Sequence, residues 1–187
     1  MNMLRKQLIL AAAPALALVS TFCFAASANA TDLNNDQKGA ISQHCATTKQ
    51  SLKTLQRTDA RSRAYLGSAY ETLITNYITP LDLRLISSGR PNANLTTIHS
   101  RIIDTRKQFV SDYTSYSQAL EDLIATDCQS SPEEFYTKLV NTREKRAALS
   151  TTTTNMRNLF SEYLTDVKLL RNSLTSTSTD STEKENK

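Results

Sequence analysis

The chain has 187 residues, with 22 Lys and Arg against 18 Asp and Glu, which gives a formal charge of +4. The basic residues are scattered among acidic ones and form no dense basic stripe, so we do not expect nucleic acid as a partner. Glycine occurs only three times. The sequence contains no glycine-rich phosphate loop and no nucleophile elbow, which argues against an enzyme.

The first thirty residues predict a signal peptide. Arg5 and Lys6 form a short positive start, and an apolar run covers 8–24. Small residues in the Ala-Asn-Ala sequence of 28–30 occupy the two positions that a signal peptidase reads, so cleavage is expected before Thr31. The apolar run is too short and too rich in Ala for a stable membrane span. Because all acidic residues come later, removal lowers the formal charge from +4 to +2.

Export determines how the cysteines are interpreted. Cys23 would leave with the signal peptide, and only Cys45 and Cys128 would remain. Two cysteines in an exported domain are expected to form one disulfide. The alternative is a reactive thiol, for which the adjacent His44 is the one available activator. Neighbouring residues on a helix point about 100° apart, so His44 is poorly placed to activate Cys45.

The first predicted helix covers 36–78, followed by a short helical extension over 81–88. Its apolar residues recur with helical spacing and show no sustained alternation of period two. They are Ile41, Cys45, Leu52, Leu55, Leu66, Ala69, Leu73 and Tyr77. Pro80 interrupts the pattern, so the extension is either a kinked continuation or a separate capping helix.

Two further helices are predicted over 95–128 and 132–174, separated by the breakers Gln-Ser-Ser-Pro at 129–132. The third helix carries a heptad seam with alternating steps of four and three residues. The seam is Phe135, Leu139, Thr142, Arg146, Leu149, Thr153, Met156, Phe160, Tyr163, Val167, Leu170 and Leu174. Residues 175–187 contain Ser, Thr and charged residues without large apolar side chains, which predicts a disordered tail.

The expected disulfide sets the arrangement of these helices. A bond between Cys45 and Cys128 joins the start of helix one to the end of helix two and makes them antiparallel. Counting from the bridge at equal rise places Ile78 opposite Leu95, and helix three then runs parallel to helix one. We therefore predict an all-α, coiled-coil-like domain over 31–174, an antiparallel up-down-up three-helix bundle with long helices and one disulfide.

Two charged residues interrupt the apolar stripes, Asp59 on helix one and Arg146 on helix three. Each lies about fourteen residues beyond the bridged end of its helix, so we predict that they meet as a buried or half-buried pair. Such a pair would fix the register, because a slipped helix would leave each charge unpaired. The alternative is that both side chains extend to the rim and stay in water.

The sequence predicts no catalytic, metal or cofactor site. His44 and His99 are expected near opposite ends of the bundle, where they cannot share a metal. The acidic residues Glu121, Asp122 and Asp127 lack the spacing of an oxygen-ligand loop, which favours a solvated face over a cation site.

Two tyrosines on helix one are candidates for a surface that faces a partner. Tyr70 and Tyr77 lie close to Leu66 and Leu73 on one stripe, which a packed core explains. Part of this stripe could instead face a partner, because the ring of Tyr is apolar while its hydroxyl can remain in water.

Three stretches carry a resemblance to a known group of proteins. They are Gln43-His44-Cys45 leading to Leu52, Thr79-Pro80-Leu81-Asp82 continuing to Gly89, and Asp112-Tyr113 running through Cys128 to Phe135-Tyr136. Together they resemble uncharacterised exported helical proteins of candidate-phylum bacteria of the Saccharibacteria type. The resemblance covers about 45–170 and implies a helical module at the surface of a small epibiotic cell. It carries over no functional residue.

The sequence thus predicts an extracytoplasmic structural or protein-interaction module without catalysis. Its expected partner is another protein or a second copy of the chain, with no stable membrane insertion after signal removal. The alternative is a client- or ligand-binding protein that holds unfolded chains in the manner of a chaperone. That alternative requires an apolar face that the helices leave uncovered.

Overall fold

The computed structural model describes residues 33–184, and all regular structure in that range is helical. This confirms the all-α prediction. The elements are α1 (Asn35–Gln43), α2 (Cys45–Leu73), a π-helical turn (Ile74–Ile78), α3 (Thr79–Ser87), α4 (Ala93–Ala125) and α5 (Pro132–Lys184). The predicted signal peptide and its cleavage site lie outside the described residues.

The predicted first helix is divided at its start. A reciprocal capping box begins α1, because the Asn34 side chain accepts from the Gln37 amide at 2.8 Å while the Gln37 side chain accepts from the Asn34 amide at 3.0 Å. His44 interrupts the helix, with φ of −97° and ψ of 10°. The backbone then resumes as α2 at Cys45, the residue that carries the bridge.

A π-helical turn joins α2 to α3. The Thr79 amide donates to the Ile74 carbonyl, five residues back instead of four. Pro80 follows in the first turn of α3, where its missing N–H is tolerated. Of the two predicted alternatives, the structure therefore shows a continuation of the first helix. Gly89, with φ of 68°, ends α3 by the left-handed conformation that glycine adopts without strain.

The other two helices differ from the prediction at their ends. Helix α4 starts earlier, because the Asn92 side chain accepts from the Leu95 amide at 3.0 Å, and it stops at Ala125. Helix α5 continues to Lys184, through most of the segment predicted to be disordered. That segment contains neither Pro nor Gly, and hydroxyl groups such as that of Ser176 donate to carbonyls one turn back. Residues 185–187 lie outside the described range.

The core consists of two clusters. One contains the Cys45–Cys128 disulfide, whose Cα atoms are 5.5 Å apart, and its other buried members are Tyr116, Leu120, Leu123 and Phe135. The second lies under α3, and its buried members are Tyr70, Ile74, Ile78, Leu85, Leu95, Ile98, Ile102, Met156, Leu159 and Tyr163. Ile78 and Leu95, the residues expected to face each other, belong to this same cluster.

Helices α4 and α5 contact each other along their length. The residue numbers of successive contacts decrease along α4 and increase along α5, so the two helices run in opposite directions. These contacts are Ala119 with Thr142 (3.0 Å), Asp112 with Thr152 (2.5 Å) and Arg101 with Glu162 (3.3 Å). Helix α2 packs against α4. Between the middle parts of α2 and α5 a cleft remains open.

Candidate functional site

The cleft between α2 and α5 has a volume of about 530 Å³. We call it the arginine cleft, because four guanidinium groups line it together with a single carboxylate. These residues are Arg63 and Asp59 of α2 and Arg143, Arg146 and Arg157 of α5. Helix α4 supplies the aromatic residues Phe109 and Tyr113 to the lining. The site therefore combines an aromatic surface with concentrated positive charge.

The four arginines differ in their partners. The guanidinium of Arg63 lies over the Tyr113 ring, 5.1 Å from its centroid, as a cation–π contact. Arg146 Nη2 lies 3.4 Å from the Asp59 carboxylate. Among residues 33–176, whose side chains the structure describes, Arg143 and Arg157 make no ion pair. Two guanidinium groups of the cleft are thus available to an anion.

The structure brings the predicted pair Asp59 and Arg146 together, but with a third member. Tyr116 donates its hydroxyl proton to Asp59 Oδ2 at 2.6 Å, the same oxygen that faces Arg146. The Arg146 side chain is 52% exposed and that of Asp59 is 21% exposed, while Tyr116 is 1% exposed. Burial, and then the hydrogen bond and charge of Asp59, raise the pKa of Tyr116 above its ordinary value of 10.0. Tyr116 therefore stays neutral as a donor.

A second tyrosine–carboxylate contact lies under α3. Tyr163 donates to Asp82 Oδ1 at 3.0 Å, and His99 Nδ1 lies 2.7 Å from Asp82 Oδ2. The other ring nitrogen of His99 lies 3.4 Å from the Thr79 hydroxyl. Burial, followed by the hydrogen bond to Asp82, raises the pKa of Tyr163. This network joins α3, α4 and α5 and fixes the position of α3. The sequence placed His99 near one end of the bundle and gave it no partner.

The two tyrosines proposed to face a partner have different environments. Tyr70 is 8% exposed, with ring centroids 5.8 Å from Phe109 and 5.5 Å from Phe160. The partner-facing prediction therefore does not describe Tyr70, because its ring packs against Phe109 of α4 and Phe160 of α5. Tyr77 is 65% exposed. Tyr77 lies seven residues after Tyr70, and in an uninterrupted α-helix this spacing would place both side chains on one face. The π turn changes the direction of the side chains after Leu73, so that Ile78 and not Tyr77 enters the core.

Exposed large apolar side chains are concentrated near α3. We call the set the apolar end, and it consists of Leu73, Tyr77, Leu83, Ile86, Leu164, Leu169 and Leu174. The first four lie on the segment from α2 to α3. The others lie on α5 beyond Tyr163, which contacts α3. The apolar end therefore lies away from the disulfide and beside the Asp82 network.

The acidic residue Asp127 has a local role. Asp127 accepts hydrogen bonds from the Ser130 hydroxyl at 2.8 Å and the Gln129 amide at 3.0 Å, in the turn before α5. The bond from Ser130 is the main reason that the pKa of Asp127 lies below its ordinary value. Among the side chains that the structure describes, no group of three or more His, Cys, Asp or Glu is arranged to hold a metal ion.

No helix in the described part of the chain combines the length and the apolar content needed to cross a membrane. The chain matches no protein-family model, no curated protein and no solved structure.

Proposed function

We propose that this protein is an exported, non-catalytic helical module that binds a protein partner through its apolar end, in the cell envelope or the surrounding medium. The observation that carries this proposal is the concentration of exposed apolar side chains near α3. Exposed apolar side chains that gather at one end of a folded protein are typical of an interaction site. Leu83 and Ile86 lie three residues apart, which places them on one face of α3.

The hydrogen-bonded contacts of Asp82 hold the apolar end in a fixed position, which favours the docking of a partner. The carboxylate of Asp82 bonds to Tyr163 and contacts His99, so α3 is held against α4 and α5 before any partner arrives. A surface that is already ordered loses less conformational entropy on binding. The apolar end is therefore suited to act as a rigid docking face.

The architecture that we propose for the module is the up-down-up three-helix bundle. Three observations support it: the disulfide at one end, the shared cluster of Ile78 and Leu95 at the other, and the opposed contacts between α4 and α5. Export by a cleaved signal peptide is supported by the disulfide, since disulfides persist in oxidising compartments.

A crosslinked pull-down with the oxidised protein tests the proposed function. The variant Leu83→Ser/Ile86→Ser alters the apolar end, and Tyr65→Ser/Val110→Ser removes two exposed apolar side chains elsewhere as a matched control. We expect one discrete envelope or medium protein to be captured by the wild type and by the control, and lost with the first variant. Equal capture by both variants would refute the assignment of the docking face.

A chaperone-like client-binding protein is the second candidate, because it also requires exposed apolar surface. It predicts capture of many unrelated unfolded proteins in place of one partner. It also predicts strong binding of a dye that reports exposed apolar surface, with a large decrease for Leu83→Ser/Ile86→Ser. Recovery of the protein alone would instead indicate self-association.

A further inference from the structure

The arginine cleft holds more positive charge than its own residues neutralise. Four guanidinium groups line it, and Asp59 is the one carboxylate among the lining residues. That carboxylate already accepts the hydroxyl proton of Tyr116 besides facing Arg146. Charge of one sign between low-dielectric walls produces a strong local field and raises the concentration of oppositely charged ligands. The charge of the cleft therefore favours an anionic ligand.

The spacing of the arginines indicates a ligand with more than one anionic group. Arg143 and Arg157 are fourteen residues apart, which corresponds to about 21 Å along the axis of α5. The contact of Asp59 with Arg146 sets the register of α2, and it places Arg63 near Ser150, between these two positions. Both side chains would have to extend fully towards each other for one orthophosphate to contact them, so a ligand with several anionic groups fits this length better.

The donors of the cleft fit phosphate. Guanidinium groups present paired N–H donors that match phosphate oxygens, and they bind phosphate as bidentate partners. Two hydroxyl groups, those of Ser150 and Thr154, line the same wall and add neutral donors, whereas the Thr153 hydroxyl already donates to the Leu149 carbonyl at 2.8 Å. The volume of about 530 Å³ falls within the range of roughly 300–1,000 Å³ that is typical of small-molecule sites.

We propose that the arginine cleft binds a small molecule or headgroup that carries at least two phosphate groups. Arg143 and Arg157 bind the outer phosphates, and Arg63 from the opposite wall contacts the region between them. The phosphates belong either to a soluble molecule or to the headgroup of an envelope lipid. The cleft lies apart from the apolar end, so its ligand does not depend on the proposed protein interaction.

Calorimetric titration of the oxidised protein with inorganic tripolyphosphate tests this site. We expect Arg143→Gln/Arg157→Gln to weaken binding by about tenfold or more, because both charge-assisted contacts are lost. The matched control Arg90→Gln/Arg171→Gln removes the same net charge from exposed positions outside the cleft, and should change the affinity less than about twofold. The single variant Arg157→Gln should give an intermediate loss. All replaced side chains are exposed, so thermal melting should be unchanged and would reveal any loss of fold.

Two further anions test the chemistry of the ligand. Orthophosphate should bind more weakly than tripolyphosphate, and equal affinity would overturn the requirement for two phosphates. Citrate should also bind more weakly, and equal affinity would overturn the preference for phosphate. No detectable binding of tripolyphosphate by the wild type, or equal losses in both double variants, would overturn the site itself.

Vesicles distinguish the two sources of phosphate. Capture by vesicles that contain cardiolipin, whose headgroup carries two phosphates, but not by phosphatidylcholine vesicles, and its loss in Arg143→Gln/Arg157→Gln would assign the phosphates to a lipid headgroup. Binding of tripolyphosphate without such capture would assign it to a soluble molecule. Vesicle capture that the cleft variant retains would refute a lipid role for this cleft.

Discussion

The carboxylate of Asp59 has two partners of unequal strength, and double-mutant cycles should separate them. Tyr116 is buried and donates at 2.6 Å, whereas Arg146 lies at 3.4 Å with half of its side chain exposed. A hydrogen bond to a charged group stabilises by about 1.5–3 kcal/mol. An exposed ion pair contributes about 0.2–1 kcal/mol. We therefore expect a coupling energy of about 2 kcal/mol between Asp59 and Tyr116, and of about 0.5 kcal/mol between Asp59 and Arg146.

The perturbations are Asp59→Ala, Tyr116→Phe and Arg146→Met, made singly and in the two pairs that include Asp59. Urea unfolding followed by circular dichroism gives the free energy of unfolding for each variant, and the cycle gives the coupling. Arg143→Met is the control, because Arg143 has no ion pair within the described residues and should show no coupling to Asp59.

Two results would refute this reasoning. One is a coupling between Asp59 and Arg146 that equals or exceeds the coupling between Asp59 and Tyr116. The other is the absence of measurable coupling in both cycles. In the first case the ion pair would be the dominant contact, as the sequence alone suggested. In the second case Asp59 would be fully solvated.

Three further predictions concern stability. Cys45→Ser/Cys128→Ser should lower the free energy of unfolding by about 4–5 kcal/mol, because the chain-entropy model assigns this value to a bridge over 83 residues. A loss of less than about 1 kcal/mol, measured by urea unfolding, would contradict this prediction. Met156→Ala, at a fully buried site, should lower it by about 2–5 kcal/mol, and an unchanged melting temperature would show that the site is not packed. The pKa values of Tyr116 and Tyr163 are raised above 10.0 in the folded protein, so their contribution to stability is present below pH 10 and lost as the pH rises further. Unfolding free energies that do not fall above pH 10, measured beside the absorbance of tyrosinate, would contradict this sign.

The spacing of apolar residues was enough to predict the helices, because burial on one face is what that spacing reflects. In the structure Cys45 bonds to Cys128, and Ile78 shares a cluster with Leu95; the up-down-up order of the helices stays a prediction. The tail was predicted less well, because Ser and Thr are weak helix formers but do not stop a helix that is already running.

The candidate sites were harder to predict for physical reasons. The hydrophobic pattern treats Tyr116 as an apolar residue and gives no indication that its hydroxyl donates a hydrogen bond to Asp59. Arg143 and Arg157 lie two heptads apart on the face of the third helix that also carries Arg146. That spacing was readable, but the matching arginine on α2 comes from a distant part of the chain. Only the packed register brings these side chains to one cleft.

The π turn also has a consequence for how this chain can vary over evolutionary time. Relative to an ordinary α-helix, it is equivalent to one inserted residue. The five residues of this turn rotate and advance the helix by about as much as four residues of a regular α-helix. Deleting one residue of 74–78 would therefore restore the regular helix and leave Asp82 facing His99 and Tyr163. Keeping all five residues in a regular α-helix would instead rotate everything after the turn by about 100°. The length of this segment can thus vary by one residue over evolutionary time while α3 keeps its place.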